Sequence, residues 1–277
     1  TLFPYTTLFR SADPDLKGTI VEVAEVFTRY MGMNPAFKPF ADKRVRQAVN
    51  YAIDANLIIS KLVKGKAYRA TSWLPLTSPA YDKAMKPYPY DPAKAKQLLA
   101  DAGYPTGFEF EWTTSQNESW GLPIVEAAIP MLDKVGIKVK VKQVETAVLA
   151  EVIRKGDFQA FIYSQATGPD PQAALKCFHS ATPQSACNYA NFKNAEFDKT
   201  IDEAGQTDDA EKRVQLLQKA NALLFDEAPI WFFNYNKAVM AYQPWVHGLR
   251  GNPQELAIQD YEKIWIDDTA PADRKPQ

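Results

Sequence analysis

The chain has 277 residues, 46% of them hydrophobic, with 32 Lys and Arg against 33 Asp and Glu and a formal net charge of −1. This length supplies a core for one large domain or two ordinary ones, and the balanced charge without a basic cluster argues against nucleic acid and anionic membrane surfaces as partners. With only two histidines (His179, His247), no CxxC pair and no apolar run of about 18 residues, neither a histidine-rich metal centre nor a transmembrane segment is expected.

Residues 1–11 (TLFPYTTLFRS) begin without Met and lack the basic-then-apolar order of a signal peptide. They resemble, position by position, one translated frame of a short-read sequencing adapter. They are therefore expected to be an artefact outside the fold, with any signal peptide lost along with the natural N-terminus. Ile20 to Met33 is rich in β-branched and aromatic residues and reads as one or two strands. Asp42 and Asp54 are N-caps for two helices, the first with Val45, Ala48, Val49 and Ala52 on one face, the second closed by Gly65. Proline and aromatic residues between Trp73 and Tyr90 predict an irregular, packed loop.

Asp91-Pro92 starts a helix whose stripe is Ala95, Leu98, Leu99 and Ala102. Phe108, Phe110 and Trp112 alternate with Glu109 and Glu111 as in a half-buried strand, and a helix over Gly121 to Val135 follows, kinked at Pro130. Ile137, Val139 and Val141 alternate with Lys138, Lys140 and Lys142, which suits a sheet edge. A helix over Thr146 to Lys155, a strand over Phe158 to Tyr163, two helices between Glu196 and Phe225 and a strand over Ile230 to Phe233 complete the pattern. A β-rich tail then runs to Trp265. Alternating strands and helices predict an α/β fold with a mixed sheet flanked by helices.

No phosphate-binding loop, GxGxxG, GxSxG or HExxH is present. Cys177 and His179 are the residues a cysteine-dependent hydrolase would need, but nothing in the sequence orients the imidazole as a base. In an oxidising compartment Cys177 and Cys187 would be bridged; in a reducing one they are separate thiols. The remaining chemistry lies after two strands. One loop offers Trp112, Thr113, Ser115, Gln116 and Asn117; the other offers Tyr163, Ser164, Gln165, Thr167 and Asp170. Neutral hydrogen-bonding groups beside aromatics, without an acid–base pair, read as an uncharged site that recognises a ligand and does not react with it.

The stretches KPFADKRVRQA (38–48), YAID (51–54), YDPAKAK (90–96), KVGI (134–137), Asp170-Pro171, NAEFD (194–198) and DEAP (226–229) occur in an order and spacing that resemble the C-terminal half of family 5 extracellular solute-binding proteins. The resemblance implies a periplasmic-binding-protein-like, type II second lobe over 34–235. Residues 12–33 would be hinge or crossing strands, and 236–277 a return segment to an incomplete first lobe. It further implies a receptor of an ABC importer, capturing a peptide-like or other polar organic solute between two lobes and delivering it to permease subunits. A nickel- or metal-chelate receptor of the same family is the alternative. No enzymatic activity and no cofactor are expected; a monomer is, in the periplasm or lipid-anchored outside the cell. In peptide-binding members an aspartate in the loop after the second strand meets the ligand's ammonium; the matching position is Thr167, which counts against a free dipeptide.

Overall fold

The computed structural model describes residues 19–254 and 259–270. Residues 1–11, the C-terminal tail beyond Ala270 and Ile258 lie outside the described residues. The larger of two compact units is Val26–Asn236; the smaller consists of the segments on either side of it.

In chain order the larger unit carries β1 (Ile20–Met33), α1 (Lys38–Ala41), α2 (Lys43–Ala52), α3 (Ala55–Lys61), β2 (Ala67–Arg69) and α4 (Pro92–Asp101). There follow β3 (Glu109–Ser115), α5 (Gly121–Asp133), β4 (Lys138–Val144), α6 (Thr146–Lys155) and β5 (Ala160–Ala166). The unit closes with α7 (Pro171–Lys176), α8 (Ala195–Gln206), α9 (Ala210–Glu227) and β6 (Ile230–Ala241). The starts of β1 and ends of β6 belong to the smaller unit, so the chain passes between the units twice. There, β7 (Val246–His247) pairs antiparallel with β8 (Trp265–Ile266).

Local chemistry sets the helix starts. Asp42, Asp54, Asp91, Asn194 and Asp209 each accept a backbone N–H from the first turn of α2, α3, α4, α8 and α9, satisfying donors that a bare helix start leaves open. Gly156 ends α6 with φ +74°. Where the turns before β3 and β4 meet, Gly107 has φ +80°, and a Cβ on it would lie 1.9 Å from the Gly136 carbonyl oxygen, so only glycine fits.

The sheet order is β2-β6-β1-β5-β3-β4. Strand periodicity divides the core between its two faces. Met31, Trp112, Ile162, Trp231 and Phe233 face α2 to α5, meeting Val45, Val49, Leu99, Val125 and Leu132. Tyr30, Phe161, Ile230 and Phe232 face α6 to α9, meeting Leu149, Ile153, Phe197, Leu217 and Leu224. The unit is thus a mixed sheet between two helix layers, with β4 and its lysines at one edge and β2 at the other. The loop between β2 and α4 is irregular as expected, with Trp73 and Leu74 buried and Trp73 Nε1 donating to the Ala174 carbonyl at 3.1 Å.

β3 runs on through Thr113 to Ser115 and β4 to Val144 by pairing with each other, and two further strands extend beyond their sequence expectation. β5 continues past Tyr163 because Ser164, Gln165 and Ala166 pair antiparallel with Arg29, Thr28 and Phe27 of β1. β6 continues past Phe233 because Asn234, Tyr235 and Asn236 pair with β2. In both places ladder partners, not apolar side chains, hold the strand.

Candidate functional site

β3 runs parallel to β4 and β5, so Ser115, Val144 and Ala166 finish at the same end of the sheet, the carboxyl end of its parallel strands, where open α/β sheets take ligands. Loop 116–120, the start of α6 and residues 167–170 gather there.

Ser115 Oγ lies 2.7 Å from Thr146 Oγ1 and accepts the Asn117 N–H at 3.2 Å. The exposed amides of Gln116 and Asn117 both donate to the Glu145 carboxylate. These contacts fix the loop after β3 against α6 with its amides at the surface. On the neighbouring strand, Tyr30 Oη donates to Gln165 Oε1 at 2.9 Å. Burial first, then Tyr189 and Tyr163, raises the Tyr30 phenol well above its ordinary range, so it stays a neutral donor. Tyr163 is half-buried; burial, Tyr189 and the Glu118 carboxylate raise it too. Thr167 is buried, its N–H and Oγ1 both reaching the Val26 carbonyl at 2.8 Å.

Besides Thr167, whose N–H and hydroxyl are both spent on the Val26 carbonyl, three more of the residues expected in the site are placed elsewhere or otherwise engaged. Trp112 is fully buried in the core, its ring 6.3 Å from that of Trp231, because it shares a strand face with Phe110. Thr113 is buried on the opposite face of β3. Asp170 caps α7 by accepting the Gln172 N–H at 2.9 Å and lies 3.9 Å from Arg213 Nη2, so its charge is already engaged by protein groups.

The reading of this end as uncharged needs correction. Arg29, in the middle of β1, stands opposite Ser164 in the ladder, and its guanidinium carbon lies 4.4 Å above the centre of the Trp120 ring. The sequence signal was an arginine inside the otherwise uncharged run Val26 to Met33. What the sequence does not give is the meeting of that strand with Trp120.

Cys177 and Cys187 are bridged, with Cα atoms 5.2 Å apart, so Cys177 offers no thiol to act as a nucleophile. His179 Nδ1 accepts the Ala181 N–H at 3.0 Å and its Nε2 lies 3.5 Å from Asp202. Among the described residues no group of three or more His, Cys, Asp or Glu gathers as a metal site, and no helix is long and apolar enough to cross a membrane.

The family profile described as "Bacterial extracellular solute-binding proteins, family 5 Middle" matches residues 3–186. Heme-binding protein A of Haemophilus influenzae is 32% identical over 240 residues, covering 82% of this chain and 43% of that protein. The glutathione-binding protein GsiB of Escherichia coli is 33% identical over 212 residues, covering 74% of this chain and 41% of GsiB. The chain thus spans less than half the length of these curated relatives. Among solved structures, HbpA2 of Haemophilus parasuis superposes with a TM-score of 0.85 at 24% identity, over 95% of this chain and 53% of that one. The oligopeptide-binding protein AppA of Bacillus subtilis, in complex with a nonapeptide, gives 0.78 at 27% identity over 90% of this chain and 52% of that one. The profile match together with these relatives establishes that the chain belongs to the family 5 bacterial extracellular solute-binding proteins.

Proposed function

We propose that this chain is part of the solute-binding receptor of an ABC importer, and that the end of the sheet where β3 and β5 finish beside β1 is its contribution to the ligand site. The observation that carries this reading is the gathering there of Ser115, Gln116, Asn117, Tyr163, Ser164 and Gln165. These are hydroxyls, amides and one aromatic, without a catalytic acid–base pair. Such a surface suits a peptide-like or other polar organic solute, taken up between two lobes and passed to permease subunits. The relatives named for glutathione and an oligopeptide support that ligand class. The working place of such a receptor is the periplasm or outer cell surface, as the family's name indicates.

The test is a thermal-shift screen of the natural protein carrying this sequence against glutathione, pools of di- to pentapeptides, heme and nickel chelates. A peptide-class ligand that raises the melting temperature, narrows the scattering envelope and is recovered chemically unchanged supports the proposal. A shift with heme or nickel chelate alone transfers the receptor to that ligand, and turnover of the bound compound overturns the receptor reading.

A further inference from the structure

From the loops at the far end of the sheet we infer a second binding site, separate from the ligand site proposed above, that takes a small monocarboxylate with an apolar body. It goes beyond the receptor reading and does not depend on it.

β1 runs antiparallel to β5, so Phe27 stands opposite Ala166 at the end already described, and Met33 stands opposite Ala160 at the other. Next to Met33 lies a cavity of about 520 Å³, a size suited to a small organic molecule. Met33, Pro35, Phe192 and Pro229 supply its apolar lining, from segments far apart in sequence. These segments are tied together without a ligand. The Met33 N–H donates to the Pro229 carbonyl at 3.3 Å. Asn188 accepts the Phe192 N–H at 2.8 Å and donates from Nδ2 to the Phe192 carbonyl at 2.9 Å. Between them Asn191 turns the chain at φ +46°, a conformation asparagine tolerates, with its N–H on the Asn188 carbonyl at 2.7 Å. The cavity is therefore preformed, which lowers the ordering cost of binding.

Its charges are unequal. Four ionisable side chains line it, Lys43, Arg46, Lys193 and Glu227. All three nitrogens of the Arg46 guanidinium are engaged, by the carbonyls of Phe40, Ala41 and Glu227 and by the Glu227 carboxylate. Lys43 donates to Asp226 and lies 3.5 Å from Glu227 Oε1. Those two cations and two carboxylates cancel. Lys193 is exposed at the rim and makes no ion pair among the described residues, so its ammonium is the uncompensated charge. One cation matches a monoanion, whereas a phosphate dianion would keep a charge unpaired. The side-chain amide of Asn191, also in the lining, has no partner among the described residues. Ammonium and amide, two positions apart, offer donors for the two oxygens of a carboxylate, and the apolar lining receives the rest of the molecule.

The experiment uses the natural protein, with hexanoate and hexanamide as probes, saturation-transfer NMR to detect contact and titration to compare affinities. Hexanoate is expected to bind about fivefold more tightly than hexanamide, the most that a rim-exposed charge pair gives. Lys193→Gln should bring the acid down to the affinity of the amide. Ala36→Trp, a substitution at an exposed position of the lining, should exclude both probes. Melting curves confirm that both variants fold, and Ala36→Leu replaces the tryptophan variant if that one does not. No saturation transfer to hexanoate, or binding that Ala36→Trp leaves untouched, overturns the site. Equal affinities for acid and amide, or an acid preference that survives Lys193→Gln, overturn its selection of an anion by Lys193. A failed peptide screen at the other end of the sheet alters none of these outcomes.

Discussion

Arg46 donates from Nε and Nη2 to the Glu227 carbonyl oxygen at 3.1 and 2.8 Å, tying α2 to the end of α9. Its Nη1 also reaches the carbonyls of Phe40 and Ala41 at 3.0 and 3.2 Å, and Nη2 lies 3.3 Å from a Glu227 carboxylate oxygen. Directly after Glu227 the chain turns through Ala228 at φ +48° into β6. One buried guanidinium thus satisfies carbonyls from two segments around a strained turn. Burial lowers the Arg46 pKa and Glu227 opposes that shift, but the side chain remains charged throughout the accessible range. Arg46→Met leaves these acceptors buried without donors and should cost about 3 kcal/mol in denaturant unfolding. Arg46→Lys should recover little of the loss, because one ammonium cannot reproduce the fork. A loss below the error of the unfolding curve would show that water replaces the guanidinium.

The Cys177–Cys187 bridge closes a loop with a sequence separation of 10. For so short a loop the chain-entropy account gives about 2–3 kcal/mol of stabilisation, acting on the unfolded chain. The double variant Cys177→Ser, Cys187→Ser should therefore unfold at lower denaturant concentration than the oxidised protein. Reducing agent should bring the unmodified protein to the same midpoint and leave the variant unmoved. A midpoint insensitive to both treatments would contradict the entropic account.

In the smaller unit, Asp267 Oδ2 lies 2.7 Å from His247 Nε2, and the His247 ring stacks on Trp265 at 4.2 Å. The hydrogen bond from His247, followed by those from Thr269, lowers the Asp267 carboxyl from 3.8 to about 2. Because the folded value is the lower one, the stabilisation is complete above about pH 4 and is lost as pH falls through about 2. Asp267→Asn should flatten that part of the acid unfolding profile by removing the stabilisation present at neutral pH, so that variant and unmodified protein differ at pH 7 and converge below about pH 2. Amide hydrogen exchange across residues 245–248 and 261–267 is the direct readout, since faster exchange should appear there first.

The layered α/β architecture was legible because it depends on local signals. Asp42, Asp54, Asp91 and Asp209 cap the helices they precede, and the alternation of Phe110 with Glu109 and Glu111 identifies β3. The same alternation places Trp112 beside Phe110 in the core, so assigning Trp112 to a ligand surface on composition alone set aside the period-two rule. The site was legible as a polar end of the sheet but not as a charged one. Arg29 and Trp120 meet only because β1 pairs with β5 and α5 starts beside that pair, a relation no local window contains. The polar extensions of β5 and β6 escaped detection for the same reason, since backbone pairing across distant segments compensates for side chains that do not read as strand.

Two glycines with nearly equal backbone angles separate conformational cost from steric cost. Gly107 has φ +80°, with the Gly136 carbonyl oxygen 1.9 Å from any added Cβ; Gly65 has φ +74°, with nothing within 4 Å. Gly65→Ala bears only the left-handed backbone penalty and should destabilise by about 1 kcal/mol. Gly107→Ala adds a backbone-to-backbone clash that no side-chain rotation relieves, so it should cost about 3 kcal/mol or more and separate the turns before β3 and β4. The two variants are compared in one denaturation series. Equal losses would mean that the Gly107–Gly136 contact relaxes freely, and the tight approach would then not be what requires glycine at position 107.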